Sequence, residues 1–173
     1  PPVNCIALEL NLAKGALDKV AVRRAISDAI NRDSLTRQTE GGFDPPATSG
    51  SGLVLPTDSQ FLVPSDTGDI DDVGNPAAAA QLMEAAGYHR GLKGYWANPA
   101  GTALQLRIVD PAGTTFAASA AVVARQLQSA GFDATADAVT VAKWHSQLAD
   151  GNFDGSILAS ASGPAPFYMY QDW

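Results

Sequence analysis

The sequence predicts an α/β protein built on a mixed, largely parallel sheet flanked by helices. Three observations carry this expectation. From Leu104 onward, apolar runs of strand length alternate with helical stripes, giving strand, helix, strand, helix, strand. That is the order of a right-handed α/β unit. The helices in it carry their own punctuation, with Gly131 ending one and Thr140 placed to cap the next. The 173 residues hold 46% hydrophobic and 17% charged side chains, a composition and length that suit a single globular domain.

Val3 to Leu10 is largely apolar and reads as a strand. Asp18 is expected to cap a helix whose Val22, Ala25, Ile26, Ala29 and Ile30 form one stripe at i, i+3, i+4, i+7 and i+8. This helix is expected to run on to Ser34–Arg37. From Gly41 to Gly74 no periodicity is sustained, and Gly, Pro, Ser, Thr and Asp dominate. So long a connection is expected to wrap the surface, pinned by Leu53, Val54, Leu55, Phe61, Leu62 and Val63, with one face near a cleft. The next helix is the best marked: Asn75 as N-cap, Pro76 at the first helical position and Gly87 after the end. Its buried stripe is Ala79, Leu82, Met83 and Ala86, and Tyr88 to Ala100 reads as hairpin-like. Leu104 to Val109 makes a strand, Phe116 to Ala130 a helix and Phe132 to Val139 a strand. A short helix with Val141, Trp144 and Leu148 precedes a last strand, Phe153 to Ala159.

Ligands in open α/β sheets bind beyond the carboxyl ends of the strands. Those ends are Asn11 to Lys14, Asp110 to Gly113, Thr140–Val141 and Ser160 to Pro166. The candidate ligand-binding residues are accordingly Asn11, Val141, Ser160, Ser162 and Gly163.

Other chemistries find no support in the sequence. A net charge of −7 disfavours phosphate backbones and anionic lipid, so no nucleic-acid partner is expected. No apolar run reaches the ~18 residues of a membrane-spanning helix. The chain starts at Pro1 with no initiator Met and no leader-like pattern, and is expected to be an excised or processed segment. Cys5 is the only cysteine and is expected to be a small buried residue on the first strand. His89 and His145 fit no metal-ligand spacing, and the aspartates between 66 and 72 lack a calcium-loop pattern. Neither a phosphate-binding loop nor a G-x-S-x-G elbow is present. No catalytic residue, cofactor or metal is therefore expected. Trp144 is expected in the core, while Tyr168, Tyr170 and Trp173 are placed to face another lobe.

Five segments together resemble one family. They are Leu17 to Arg32, Gly41 to Ala47, Asn75 to Tyr88, Ala124 to Phe132 and Gly151-Asn152-Phe153-Asp154. In this order they are similar to the family 5 bacterial extracellular solute-binding proteins, the peptide and oligosaccharide receptors of ABC importers. The resemblance implies a periplasmic-binding-protein-like class II lobe spanning residues 1–173, the C-terminal ligand-binding lobe of a larger protein that closes on its solute by a hinge. It implies a small-solute partner (a peptide, glycoside or apolar molecule) and an ABC permease. It implies an extracellular or periplasmic location as a cell-surface lipoprotein, with any membrane anchor outside this segment. Peptide-binding members follow F-D with a strand and G-W-x-x-D-Y. Counted from Phe153-Asp154, the tryptophan falls on Ser160 and the amine-holding aspartate on Gly163, and an aromatic near the start of the preceding helix falls on Val141. The expectation is thus a substrate-binding component whose solute is not a free peptide end. A non-transport envelope lipoprotein in cell-wall glycolipid assembly is the second reading, and a hydrolase the third.

Overall fold

The computed structural model describes residues 4–63, 70–161 and 165–170. Strand β1 is Ile6–Leu10. The helical stripe after it divides in two: α1 is Val20–Asp28 and α2 is Arg32–Thr39. Asp18 is exposed, and Lys19 takes the N-cap position of α1 without a side-chain bond. The expected single helix fails at Asn31, a strong N-cap residue in mid-run. Its side chain accepts from the Ser34 amide at 2.7 Å and starts α2. Gln126 then clasps the break, accepting from the Asn31 amide at 2.9 Å and donating to its carbonyl at 3.1 Å. The stripe itself is as expected, with Val22, Ala25, Ile26, Ala29 and Ile30 all buried.

Helix α3 is Pro76–Ala85, capped by Asn75, whose side chain accepts from the Ala78 amide at 3.0 Å. A small hairpin pairs β2, His89–Arg90, with β3, Trp96–Ala97. Trp96 is fully buried and donates its indole N–H to the Ala130 carbonyl at 3.0 Å. The Arg90 guanidinium covers the ring at 3.8 Å, a cation–π contact. That approach, and a φ of +88°, require Gly131: a Cβ there would lie 1.1 Å from Arg90 Nη1. In the long connection Leu53 and Val54 are buried, while Phe61 and Val63 stay exposed.

The remaining elements follow the expected order. They are β4 (Gln105–Pro111), α4 (Thr115–Ser129), β5 (Asp133–Val139), α5 (Val141–Ala149), β6 (Gly155–Ala159) and the short α6 (Pro166–Tyr170). Thr114 caps α4, accepting from Ala117 at 3.2 Å, and Thr140 caps α5, accepting from Lys143 at 3.3 Å. The sheet order is β1-β6-β4-β5. β4 runs parallel to β5 from Gln105↔Asp133 through Pro111↔Val139, and parallel to β6 at the single pair Ile108↔Gly155. β1 runs antiparallel to β6 from Ile6↔Ala159 through Leu10↔Gly155. The sheet is thus mixed and mostly parallel, with an antiparallel edge strand.

The main core joins Leu106, Ile108, Ala134 and Ile157 of the sheet to Ala120, Val123 and Leu127 of α4 and to the stripes of α1 and α3. Ser156 is out of phase with Ile157, so it faces the other side of the sheet, where α5 packs. The crossover from β4 goes to one neighbour, β5, and the next crossover passes back over β4 to β6. The strand order therefore reverses between β4 and β6, and ligand crevices of open α/β sheets form at such a point.

Candidate functional site at the β4–β6 switch point

The seam between β4 and β6 is held mainly by side chains. It has one ladder pair, at Ile108↔Gly155. Gly155 of that pair also lets β6 approach β1 on its other edge: a Cβ at residue 155 would sit 3.0 Å from Leu8 Cδ1 and 3.3 Å from the Glu9 carbonyl. An aspartate bridges the seam on each side of that pair. Toward the amino ends, the Asp154 carboxylate accepts from the Arg107 amide at 2.8 Å, and the Asp154 amide donates to the Arg107 carbonyl at 3.0 Å. Toward the carboxyl ends, Asp110 Oδ1 accepts from the Ile157 amide at 2.9 Å and from the Ser156 hydroxyl at 3.1 Å. Ser156 in turn accepts from the Trp144 indole N–H at 3.0 Å, which ties α5 to the sheet.

Asp110 is 1% exposed, and its Oδ2 is buried with no hydrogen-bond partner among the described residues. A buried carboxylate with one bare oxygen is costly to ionise. Burial accordingly raises the Asp110 pKa from 3.8 to about 6, against the opposing pull of the Ile157 and Ser156 hydrogen bonds. The expected strand-end segment 110–113 contains this residue. Its own signal is an acid that follows the apolar pair Ile108-Val109 near the end of the strand.

The five sequence-predicted residues do not form one group. Val141 opens α5 at this carboxyl edge and is 55% exposed. Ser160 lies at the end of β6 on the same edge and is buried. Its hydroxyl accepts from the Cys5 amide at 3.0 Å and its amide donates to the Cys5 carbonyl at 2.8 Å, so both groups hold the chain ahead of β1. Ser162 and Gly163 lie outside the described residues. Asn11 must be placed elsewhere. Because β1 is antiparallel to β6, its carboxyl end lies at the amino end of β6. There Asn11 donates to the carbonyls of Gly151 and Phe153, each at 3.1 Å, and accepts from the Ala13 amide at 3.1 Å.

Trp144 is half-buried with its N–H committed to Ser156, not sealed in the core as its helical stripe suggests. Cys5 is half-buried, and burial with Asp58 nearby pushes its thiol up. His89 and His145 are exposed. Among the described residues no cluster of three or more His, Cys, Asp or Glu could hold a metal ion, and no helix is long and apolar enough to cross a membrane.

Two shallow depressions lie away from the carboxyl end of the β4–β6 seam. One of about 280 Å³ sits at the amino ends of β4 and β5, lined by Gln105, Leu106, Arg107, Asp133, Thr135 and Asp154. Gln105 there donates to Asp133 at 3.3 Å, and Arg107 donates to the Asn152 carbonyl and side chain and lies 3.6 Å from Asp137. The other, about 110 Å³, is lined by Ser51, Leu53, Phe61, Leu62, Val63 and Tyr170.

This architecture is that of periplasmic binding proteins. The mannohexaose-bound periplasmic oligopeptide-binding protein of Thermotoga maritima superposes with a TM-score of 0.88 at 20% identity, over 99% of this chain and 32% of its own. NikA from Brucella suis, in complex with Fe(III)-EDTA, gives 0.77 at 24% identity, over 94% and 32%. The oligopeptide-binding protein AppA from Bacillus subtilis, in complex with a nonapeptide, gives 0.70 at 18% identity, over 91% and 31%. The chain thus spans about a third of the length of these structures. No curated protein matches it significantly in sequence. The fold is therefore the one these binding proteins share. More particularly, the model of "Bacterial extracellular solute-binding proteins, family 5 Middle" matches residues 1–173, and the chain belongs to that family. Members of the family are the periplasmic or extracellular solute-binding proteins of ABC importers.

Proposed function

We propose that this chain is one ligand-binding lobe of the substrate-binding component of an ABC-type importer. Its solute is captured between this lobe and another. The observation that carries the reading is the family match across all 173 residues. The carboxyl edge around β4 and β6 is this lobe's half of the cleft, with the exposed Val141 as its ligand-facing position. Topology supports that placement, since the strand order reverses at this seam. An ABC permease is the partner that receives the solute, and the location is extracellular or periplasmic.

The solute is peptide-like or another small molecule held chiefly by apolar and small side chains. Val141 offers an exposed apolar surface, and the Ser160 hydroxyl is committed to Cys5. With Gly163 at the position of the family's amine-holding acid, a free peptide amino end lacks its usual anchor. The structural relatives named above carry a nonapeptide, a sugar chain and a metal chelate. A scaffold so permissive is compatible with another solute class here.

The test is a thermal-shift series on the full-length protein with di- to pentapeptides, oligosaccharides and metal chelates. A saturable rise in Tm with a solute other than a simple peptide, lost in Val141→Asp, is the expected result. Micromolar binding of simple peptides would overturn the ligand assignment. No shift with any class, together with unchanged uptake in a strain lacking the gene, would overturn the transport reading.

A further inference from the structure

We propose that Asp110 is a positioning residue for the ligand edge: through Ser156 and Trp144, its carboxyl group sets α5, and with it Val141, against the β4–β6 seam. Calling this the ligand edge rests on the solute-binding reading, but the relay itself does not.

Beyond Ile108↔Gly155 the two strands of the seam no longer pair through their backbones. The Ile157 amide would be left without a backbone acceptor, and Asp110 Oδ1 supplies one at 2.9 Å. The same oxygen takes the single Ser156 hydroxyl proton, at 3.1 Å. With its proton so directed, Ser156 presents lone pairs to the Trp144 N–H at 3.0 Å. Among the described residues this is the side-chain hydrogen bond that joins α5 to the sheet. Gln147, one turn further along α5, has a buried Oε1 with no partner among the described residues and adds no second anchor there. Three elements are thus linked through one carboxyl group, two directly and α5 by way of Ser156, at a tryptophan three residues along the helix from the exposed Val141.

The carboxyl group is also poised to change state. Oδ2 is buried and unpartnered among the described residues, so the ionised form leaves part of its charge uncompensated. Its pKa of about 6 follows from that burial. Ionised, Asp110 grips the Ser156 hydroxyl with a charge-assisted bond; neutral, it accepts the same bond more weakly. The hold on Trp144 should therefore follow the Asp110 proton. Other charged groups surround the relay. Lys143 and His145 are exposed on α5, Arg107 and Asp137 face each other between β4 and β5, Asp133 opens β5, Glu9 lies on β1, and Arg125 is exposed on α4. The rival that matters is His145, whose ring lies 4.7 Å from that of Trp144.

The readout is the indole ¹H–¹⁵N resonance of Trp144 in the intact protein, assigned by its loss in Trp144→Phe and followed from pH 4 to pH 8. The expected result is one titration with a midpoint near 6 in the wild type and in His145→Gln. It should be flat in Asp110→Asn and in Ser156→Ala, the second variant keeping Asp110 while cutting the relay. A flat wild-type resonance, a titration that survives Asp110→Asn or Ser156→Ala, or one that vanishes in His145→Gln would overturn the proposal. If the titrations behave as expected but no solute binds, the solute-binding reading fails and the relay stands.

Discussion

The two ends of the β4–β6 seam use the same residue type in opposite ways. At the amino end, Asp154 bridges the strands where Asn11 and Arg107 also spend their polar groups on neighbouring backbone. At the carboxyl end, Asp110 bridges the strands with one oxygen and leaves the other buried and bare. On the same edge Val141 turns an apolar side chain to solvent. Saturated polar groups hold a structure; an unsatisfied acid beside exposed apolar surface is a place where something else acts. Size alone would mislead, because the depression of about 280 Å³ lies at the saturated end.

Substitutions tell the two ends apart. The largest effect belongs to Asp110. Its folded pKa, about 6, lies above the ordinary 3.8, so the folded state binds the proton more tightly than the unfolded one. Its contribution to stability is full below about pH 4 and is lost as pH rises through about 6. The total change is on the order of 3 kcal/mol. Urea unfolding from pH 4 to pH 8 should show this fall in the wild type and not in Asp110→Asn. A wild-type profile unchanged by the substitution would remove the distinction between the two ends.

At the saturated end, Asp154→Ala strips a charged acceptor from the Arg107 amide and should cost about 2 kcal/mol. Asn11→Ala loses three neutral bonds to partly solvated backbone and should cost about 1.5 kcal/mol. Chemical denaturation measures both, and neither should alter solute affinity once the protein is folded. The smallest stability effect is that of Val141→Ser, within about 0.5 kcal/mol because the residue is exposed. Its solute affinity should nonetheless fall, and unchanged affinity by calorimetry would put the ligand elsewhere.

Much of this fold is legible in the sequence because its signals are local. Asn75-Pro76 and Gly87 bound α3, Thr140 caps α5, and the stripe from Val22 to Ile30 is buried as its spacing predicts. What is not legible depends on partners far along the chain. The division at Asn31 starts from a local cap on Ser34, but the clasp that holds it comes from Gln126, 95 residues away. The direction of β1 is set by its pairing with β6, and with it goes the side of the sheet to which Asn11 belongs. Nothing in Val3 to Leu10 distinguishes a parallel from an antiparallel edge strand. The candidate site divides the same way. Val141 follows from a strand end and a cap, whereas the relay from Trp144 through Ser156 to Asp110 joins residues 12 and 46 apart in sequence.

The ligand edge can be tested directly even while the solute is unidentified. Native mass spectrometry of the full-length protein, isolated from the cells that make it, reports any solute carried along. A small-molecule adduct should be present in the wild type and in Asn11→Ala, and absent in Val141→Asp. An adduct that persists in Val141→Asp, or that disappears from folded Asn11→Ala, would place the solute at the other end of the sheet and contradict the assignment.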